Sequence, residues 1–300
     1  MARRASTRHG GLVIKARWTG IAAAFLLPIV LSTPAAAQAG GASAETRDRG
    51  YGPGRPVPRE LMRSLSADRP DGTESPYTVD AGHWQLEVSF IEYSRDDGAD
   101  AEAWALFDSN VKLGLTDQID LQLLFGLYTD EEIDPPGPAR QELEGFGDVT
   151  VRMKVNLWGN DGGPTAFGLM PFVKIPTGTE LSNDEVEGGL IASLAWAAGP
   201  SWGLGFMAEA DAVHDGMDDD HDIELVHTAV AGFELAGQFG GYVEYIGVTS
   251  SDGDVGSRAS LSAGVTYGVS DDVQLDAGLR VGLNDAAEDL VLFTGFTARF

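Results

Sequence analysis

From His83 to Phe300, apolar side chains return at every second position in runs about ten residues long. Trp84, Leu86, Val88 and Phe90 alternate with Gln85, Glu87 and Ser89. Ala105, Phe107, Ser109, Val111, Leu113 and Leu115 alternate with Asp108, Asn110 and Lys112. Ile119 to Leu127 and Val149 to Leu157 repeat the pattern against Asp120, Gln122, Arg152, Lys154 and Asn156. A period of two puts successive side chains on opposite faces of a strand. About ten residues is also what a tilted strand needs to cross a bilayer. The alternation continues around 165–176, 188–197, 201–213, 223–235, 240–249, 258–269, 273–283 and 289–300, which makes twelve strands.

The two faces differ in charge. On the more apolar parity Glu92 is the one charged residue, at a strand end. The other parity carries the acids Glu87, Asp108, Asp120, Asp148, Glu209, Asp211, Glu224, Glu234, Glu244 and Asp276. It also carries Lys112, Arg152, Lys154, Lys174, Arg258, Arg280 and Arg299. A dry core does not hold so many charges, because each unpaired one costs several kcal/mol. A wet or ion-paired lumen does. The expected fold is all-β, a twelve-stranded antiparallel transmembrane β-barrel of outer-membrane type.

The connections and ends agree with that reading. Turns such as Thr116-Asp117-Gln118 and Ser270-Asp271-Asp272 are short, whereas 94–102, 129–146, 177–187, 214–222, 250–257 and 284–288 are mostly longer. Outer-membrane barrels alternate short periplasmic turns with longer outer loops in this way. Trp84, Trp104, Tyr128, Trp158, Trp196, Trp202, Tyr245 and Tyr267 fall near strand ends, where interfacial girdles form. The last strand alternates up to Phe300, which resembles the aromatic assembly signal of Gram-negative outer-membrane barrels.

Residues 1–37 read as a cleaved signal peptide: Arg3, Arg4, Arg8, Lys15 and Arg17, an apolar stretch from Trp18 to Leu31, then Ala35-Ala36-Ala37. The apolar stretch falls short of the roughly 20 residues of a spanning helix. Residues 38–75 form a segment without sustained period, read either as a flexible periplasmic lead-in or as a peptide inserted in the lumen. The barrel then occupies 76–300. The expected location is the outer membrane of a Gram-negative bacterium.

Charge bounds the function. The chain has 46 acids, 20 Lys and Arg, and a net charge of −26, which argues against nucleic-acid binding through phosphates. Zero cysteines exclude disulfides and thiolate chemistry. Half of the acids lie in the six long connections, where Arg95 and Arg140 are the bases. Such a rim would disfavour anions and hold divalent cations that bridge to lipopolysaccharide phosphates.

A family resemblance rests on Asp68-Arg69-Pro70-Asp71, Thr73-Glu74-Ser75-Pro76-Tyr77 and Gln85-Leu86-Glu87. It extends through Gly147-Asp148, Pro171-Phe172-Val173-Lys174-Ile175-Pro176-Thr177-Gly178, Tyr242-Val243-Glu244-Tyr245 and Gln274-Leu275-Asp276-Ala277-Gly278. These runs resemble the outer-membrane transporter family of the MetA-pathway of phenol degradation. The resemblance implies a barrel that passes small compounds, aromatic or apolar ones among them.

Three functions fit: a passive channel, a plugged structural or receptor-like barrel, and an outer-membrane enzyme acting on lipid. For the last, His227 lies on the outward parity, but position 229 is Ala rather than Ser. His214 and His221 flank Asp215 and Asp218-Asp219-Asp220, without the glycine and terminal Glu spacing of an EF-hand. No catalytic residue, metal site or cofactor is assigned. For the channel, Lys112, Arg152, Lys154 and Lys174 come from early strands and Glu209, Asp211, Glu224, Glu234 and Glu244 from later ones. With Asp276 and Arg280 they are the constriction candidates. They either pair across the lumen or simply keep it wet. Expected partners are outer-membrane lipid, lipopolysaccharide, the barrel-assembly machinery and a small solute.

Overall fold

The computed structural model describes residues 50–133, 141–215, 220–252 and 256–300. The signal-peptide reading lies outside them, as do Asp134, Arg140, Asp218, Asp219 and Asp254 of the long connections. Fourteen strand segments follow one another. They are β1 (Trp84–Asp96), β2 (Ala101–Thr116), β3 (Ile119–Phe125), β4 (Tyr128–Ile133), β5 (Gln141–Gly145), β6 (Val149–Trp158) and β7 (Thr165–Ile175). Then come β8 (Glu187–Gly199), β9 (Trp202–Asp215), β10 (Asp220–Ala236), β11 (Phe239–Ser250), β12 (Arg258–Ser270), β13 (Val273–Gly282) and β14 (Leu290–Arg299). β3 and β4 both pair with β2, and β5 with β4 as β6 does with β3. Each couple is one interrupted stave, so the wall has twelve. Pairing of β1 with both β2 and β14 closes the barrel and leaves no sheet edge in lipid.

The wall is apolar outside and polar inside. Leu121 and Leu123 are each 41% exposed, while Asp120 and Gln122 between and beside them are 0%. All eight aromatics proposed for girdles are exposed on the outer face. They pack in cross-strand pairs such as Trp158 with Phe167 and Trp202 with Phe233.

Two features differ from the sequence expectation. First, Glu92 does not face lipid. The β1–β14 register slips between Ser89 and Ile91, so Phe90 is an extra residue, and opposite it Phe107 sits at φ 57°. Phe90 and Ile91 both point outward, and the parity then inverts. Glu92 turns inward toward Arg280, and Tyr93 goes outward to pack 4.6 Å from Trp104. On β2 the same inversion takes Ala105 off the outer face. Second, much of the expected loops is strand. β4 and β5 make a hairpin inside 129–146, and β9 and β10 run to Asp215 and Asp220. Backbone hydrogen bonds need no lipid-facing side chains, so pairing persists where apolar alternation stops.

Candidate functional site

The chain from Gly52 to His83 does not lie beside the barrel; it enters it. Its foot sits at the end with the short turns. Arg63 pairs with Asp80 at 3.0 Å and donates to the Asp117 carbonyl, and Arg59 pairs with Asp272 at 2.6 Å. His83 places one ring nitrogen 2.8 Å from the Phe300 oxygen and the other 2.7 Å from the Val57 carbonyl. Arg299 binds Asp272, Asp80 and the Arg63 carbonyl.

From this foot a loop rises into the lumen, and residues 68–76 are buried throughout. The Ser75 amide donates to Asp68, which folds the loop on itself. Its charges meet the wall on nearly every side. Asp68 takes both Lys112 and Lys154, the latter at 2.7 Å. Arg69 makes a two-pronged pair with Asp276, at 2.8 and 3.1 Å, and donates to Ser89. Glu74 pairs with Arg152 at 2.5 Å. Glu244 accepts from the Gly72 amide and from Thr73. Gly295 is required here, since a Cβ there would lie 2.4 Å from the Arg69 guanidinium.

The constriction candidates therefore do not pair directly across the lumen. Lys112, Lys154, Arg152, Glu244 and Asp276 converge on the inserted loop, which supplies the opposite charge. The others find local partners near the loop-bearing end. Lys174 meets Glu187 at 2.5 Å and Asp148 at 3.5 Å, Glu224 meets Arg258 at 2.7 Å, and Arg280 meets Glu288 at 2.8 Å. Glu209 and Asp211 neighbour each other on β9. Glu234 is exposed at the turn end and joins neither group.

The loop carboxyls differ. Burial works against ionisation of Asp68, but Lys112 and Lys154 together hold it below the usual range. Burial, with Glu244 next to it, pushes Asp71 well up. Burial and then Asp68 push Glu74 up to about 8, despite Arg152.

One part of the lumen escaped the sequence reading. Met170, Ile191, Met207, Val226, Ile246 and Val248 form a buried apolar cluster on inward positions, with Phe172 against it. It meets the loop where the Glu74 amide approaches the Met207 sulfur and Gly72 nears Ile246. The inward parity was read for charge alone, and these residues interrupt it without changing its period.

Elsewhere, His227 faces outward and packs 5.9 Å from Tyr245, above Gly247. His214 and His221 pair edge to face at 5.6 Å. Among the described residues no cluster of three or more His, Asp or Glu is arranged to hold a metal ion.

Residues 67–300 match the family model described as "Putative MetA-pathway of phenol degradation". Among curated proteins none matches the sequence. Among solved structures, an outer-membrane channel from Pseudomonas putida F1 superposes with a TM-score of 0.51 at 12% identity, over 73% of this chain and 94% of that one. The NanC porin gives 0.48 at 9% identity, over 72% and 98%. The CymD monoaromatic hydrocarbon channel gives 0.42 at 10%, over 73% and 88%.

Proposed function

This chain belongs to the family of the MetA-pathway of phenol degradation, and on that premise we propose that it is an outer-membrane channel for small solutes whose lumen is held shut by its own N-terminal segment. The observation that carries the reading is a closed twelve-stave wall crossed by a buried loop on charged clasps. A wall of this size encloses more than side chains alone fill, between the packed eight-stranded and the open sixteen-stranded barrels. The segment takes up that space. A lumen closed in this way passes solute when the loop shifts.

The interior also sets a sign. Among the described buried residues of the wall itself eight are acids and four are Lys or Arg, so an opened lumen favours cations over anions. The apolar cluster beside the loop gives an uncharged or apolar solute a surface to follow. The chain reaches its membrane by a cleaved signal at residues 1–37, and Phe300 serves the assembly machinery. The test is solute uptake by liposomes holding the full chain or a chain lacking residues 38–78. Uptake is expected to be slow with the full chain and fast without the segment, with small cations ahead of anions of equal size. Uptake equal to protein-free liposomes in both forms would sink the channel reading.

The acidic loops extend the proposal to the rim. Asp130, Glu132, Glu142 and Glu144 sit on the β4–β5 hairpin above the membrane. These carboxylates do not form a metal site by themselves, so divalent cations would be held only between them and lipopolysaccharide phosphates, which complete the ligand set. A chelator should then lower the thermal stability of the barrel in lipopolysaccharide and leave it unchanged in phosphate-free detergent. Equal response in both media would count against the bridge.

A further inference from the structure

Arg152 stands between two sets of carboxylates. On the loop side its Nη1 holds Glu74 at 2.5 Å. On the wall side, register sets Arg152 opposite Phe172, Phe172 opposite Gly189, Gly189 opposite Asp211, and Asp211 opposite Glu224. These five residues form one register row across β6 to β10. The guanidinium lies 5.5 Å from the Phe172 ring centroid, a cation–π contact. Gly189 lets its row neighbours close in over the backbone: the point where its Cβ would stand is 2.8 Å from Phe172 Cε1 and 2.2 Å from Asp211 Oδ1. The ring therefore touches the guanidinium on one side and reaches toward the Asp211 carboxylate on the other.

Both sets are incompletely satisfied. Arg152 Nε is buried and meets no hydrogen-bond partner, and neither do Glu74 Oε2, Glu209 Oε2 and Asp211 Oδ1. Glu209 is 7% exposed and next along β9 from Asp211 on the same face. Buried charges without full pairing are costly, so a guanidinium placed between two such sets has two arrangements of comparable standing. Glu74 itself faces Asp68 on its own segment, Arg152 and Lys154 on β6 and Lys112 on β2.

We propose that Arg152 is a two-position switch: it holds Glu74 when the loop is seated, and slides over Phe172 and Gly189 to Glu209 and Asp211 when the loop leaves. The wall thus competes with the loop for one cation, and that competition sets how often the lumen opens. The inference rests on the channel reading above.

The test is single-channel recording at pH 9, above the value to which burial pushes Glu74. Glu74→Gln weakens the seated arrangement and should raise the open probability about tenfold or more. Glu209→Gln with Asp211→Asn removes the competing site and should lower it by a similar factor, since leaving a buried charge without its partner costs more than the 1.4 kcal/mol of a tenfold shift. In a chain lacking residues 38–78, the paired Glu209 and Asp211 substitutions should leave the open probability unchanged. Should the double variant not fold, Glu209→Gln alone carries the same sign. Changes of the same sign from the loop and wall substitutions, or no change from the wall substitutions in a chain that the deletion does open, would overturn the switch. A deletion that conducts no better than the full chain overturns the channel reading instead.

Discussion

Asp68→Asn is expected to free the inserted loop from its strongest anchor. The carboxylate accepts from two lysines, Lys112 and Lys154, both almost fully buried. Lys112 keeps Glu87 at 2.5 Å, but Lys154 loses the oxygens it holds at 2.7 and 2.9 Å. Leaving a buried cation without its partner costs about 3–5 kcal/mol. That corresponds to a change of roughly a hundredfold or more in the balance between seated and released loop. A glutamyl endopeptidase reads the balance directly, because Glu74 lies in the inserted loop and is 1% exposed. The variant should be cut after Glu74 far faster than the wild type while the wall keeps its heat-resistant mobility in detergent gels. Equal rates of cleavage would mean that the two lysines do not hold the loop.

Arg299→Gln should act on the wall itself. Arg299 donates twice to Asp272 Oδ1, at 3.0 and 2.8 Å, and also reaches the Arg63 carbonyl and Asp80. It ties the closing strand to the last turn and to the foot of the segment together. Its loss should cost on the order of 3 kcal/mol, read as a lower thermal midpoint, with Arg299→Lys recovering part of it. The pH dependence has a sign. Although burial opposes it, Arg299 and then Arg59 hold the Asp272 carboxyl below its ordinary range. A lowered carboxyl adds stability above its unfolded pKa and loses it as pH falls through the folded value. The gap between wild type and variant should therefore narrow below about pH 4. A gap that stays constant into acid would show that the Asp272 contact adds nothing.

The wall was legible because lipid imposes one rule on every stave, apolar outward at each second residue. Leu275 and Leu279 obey it with nothing but sequence to go on. It failed where that rule lapses. At Phe90 one inserted residue reverses the faces, and alternation read from one side only misplaces Glu92. Beyond the bilayer the β4–β5 hairpin carries Asp and Glu on successive positions and shows no apolar alternation. The segment from Gly52 to His83 was harder still. It makes almost no regular structure, and its bonds run to residues up to 236 positions away, as from Arg299 to the Arg63 carbonyl. Lys112 and Lys154 are legible as inward-facing bases; that Asp68 is their partner is not. The familiar run Asp68-Arg69-Pro70-Asp71 is the head of that segment, so the motif marked a place of importance before its contacts were known.

Arg69 touches three staves at once. It donates to Ser89 on β1, pairs with Asp276 on β13 and nests against Gly295 on β14. β1 and β14 are the strands that must find each other last, since Gln85 meets Arg299 across almost the whole chain. Closing so long a loop is entropically expensive and slows folding. A residue near the start of the barrel that grips both sides of the seam shortens that search. The cork is thus also a mandrel: the cylinder is rolled up around it, and a chain without it should close more slowly even if it ends in the same shape.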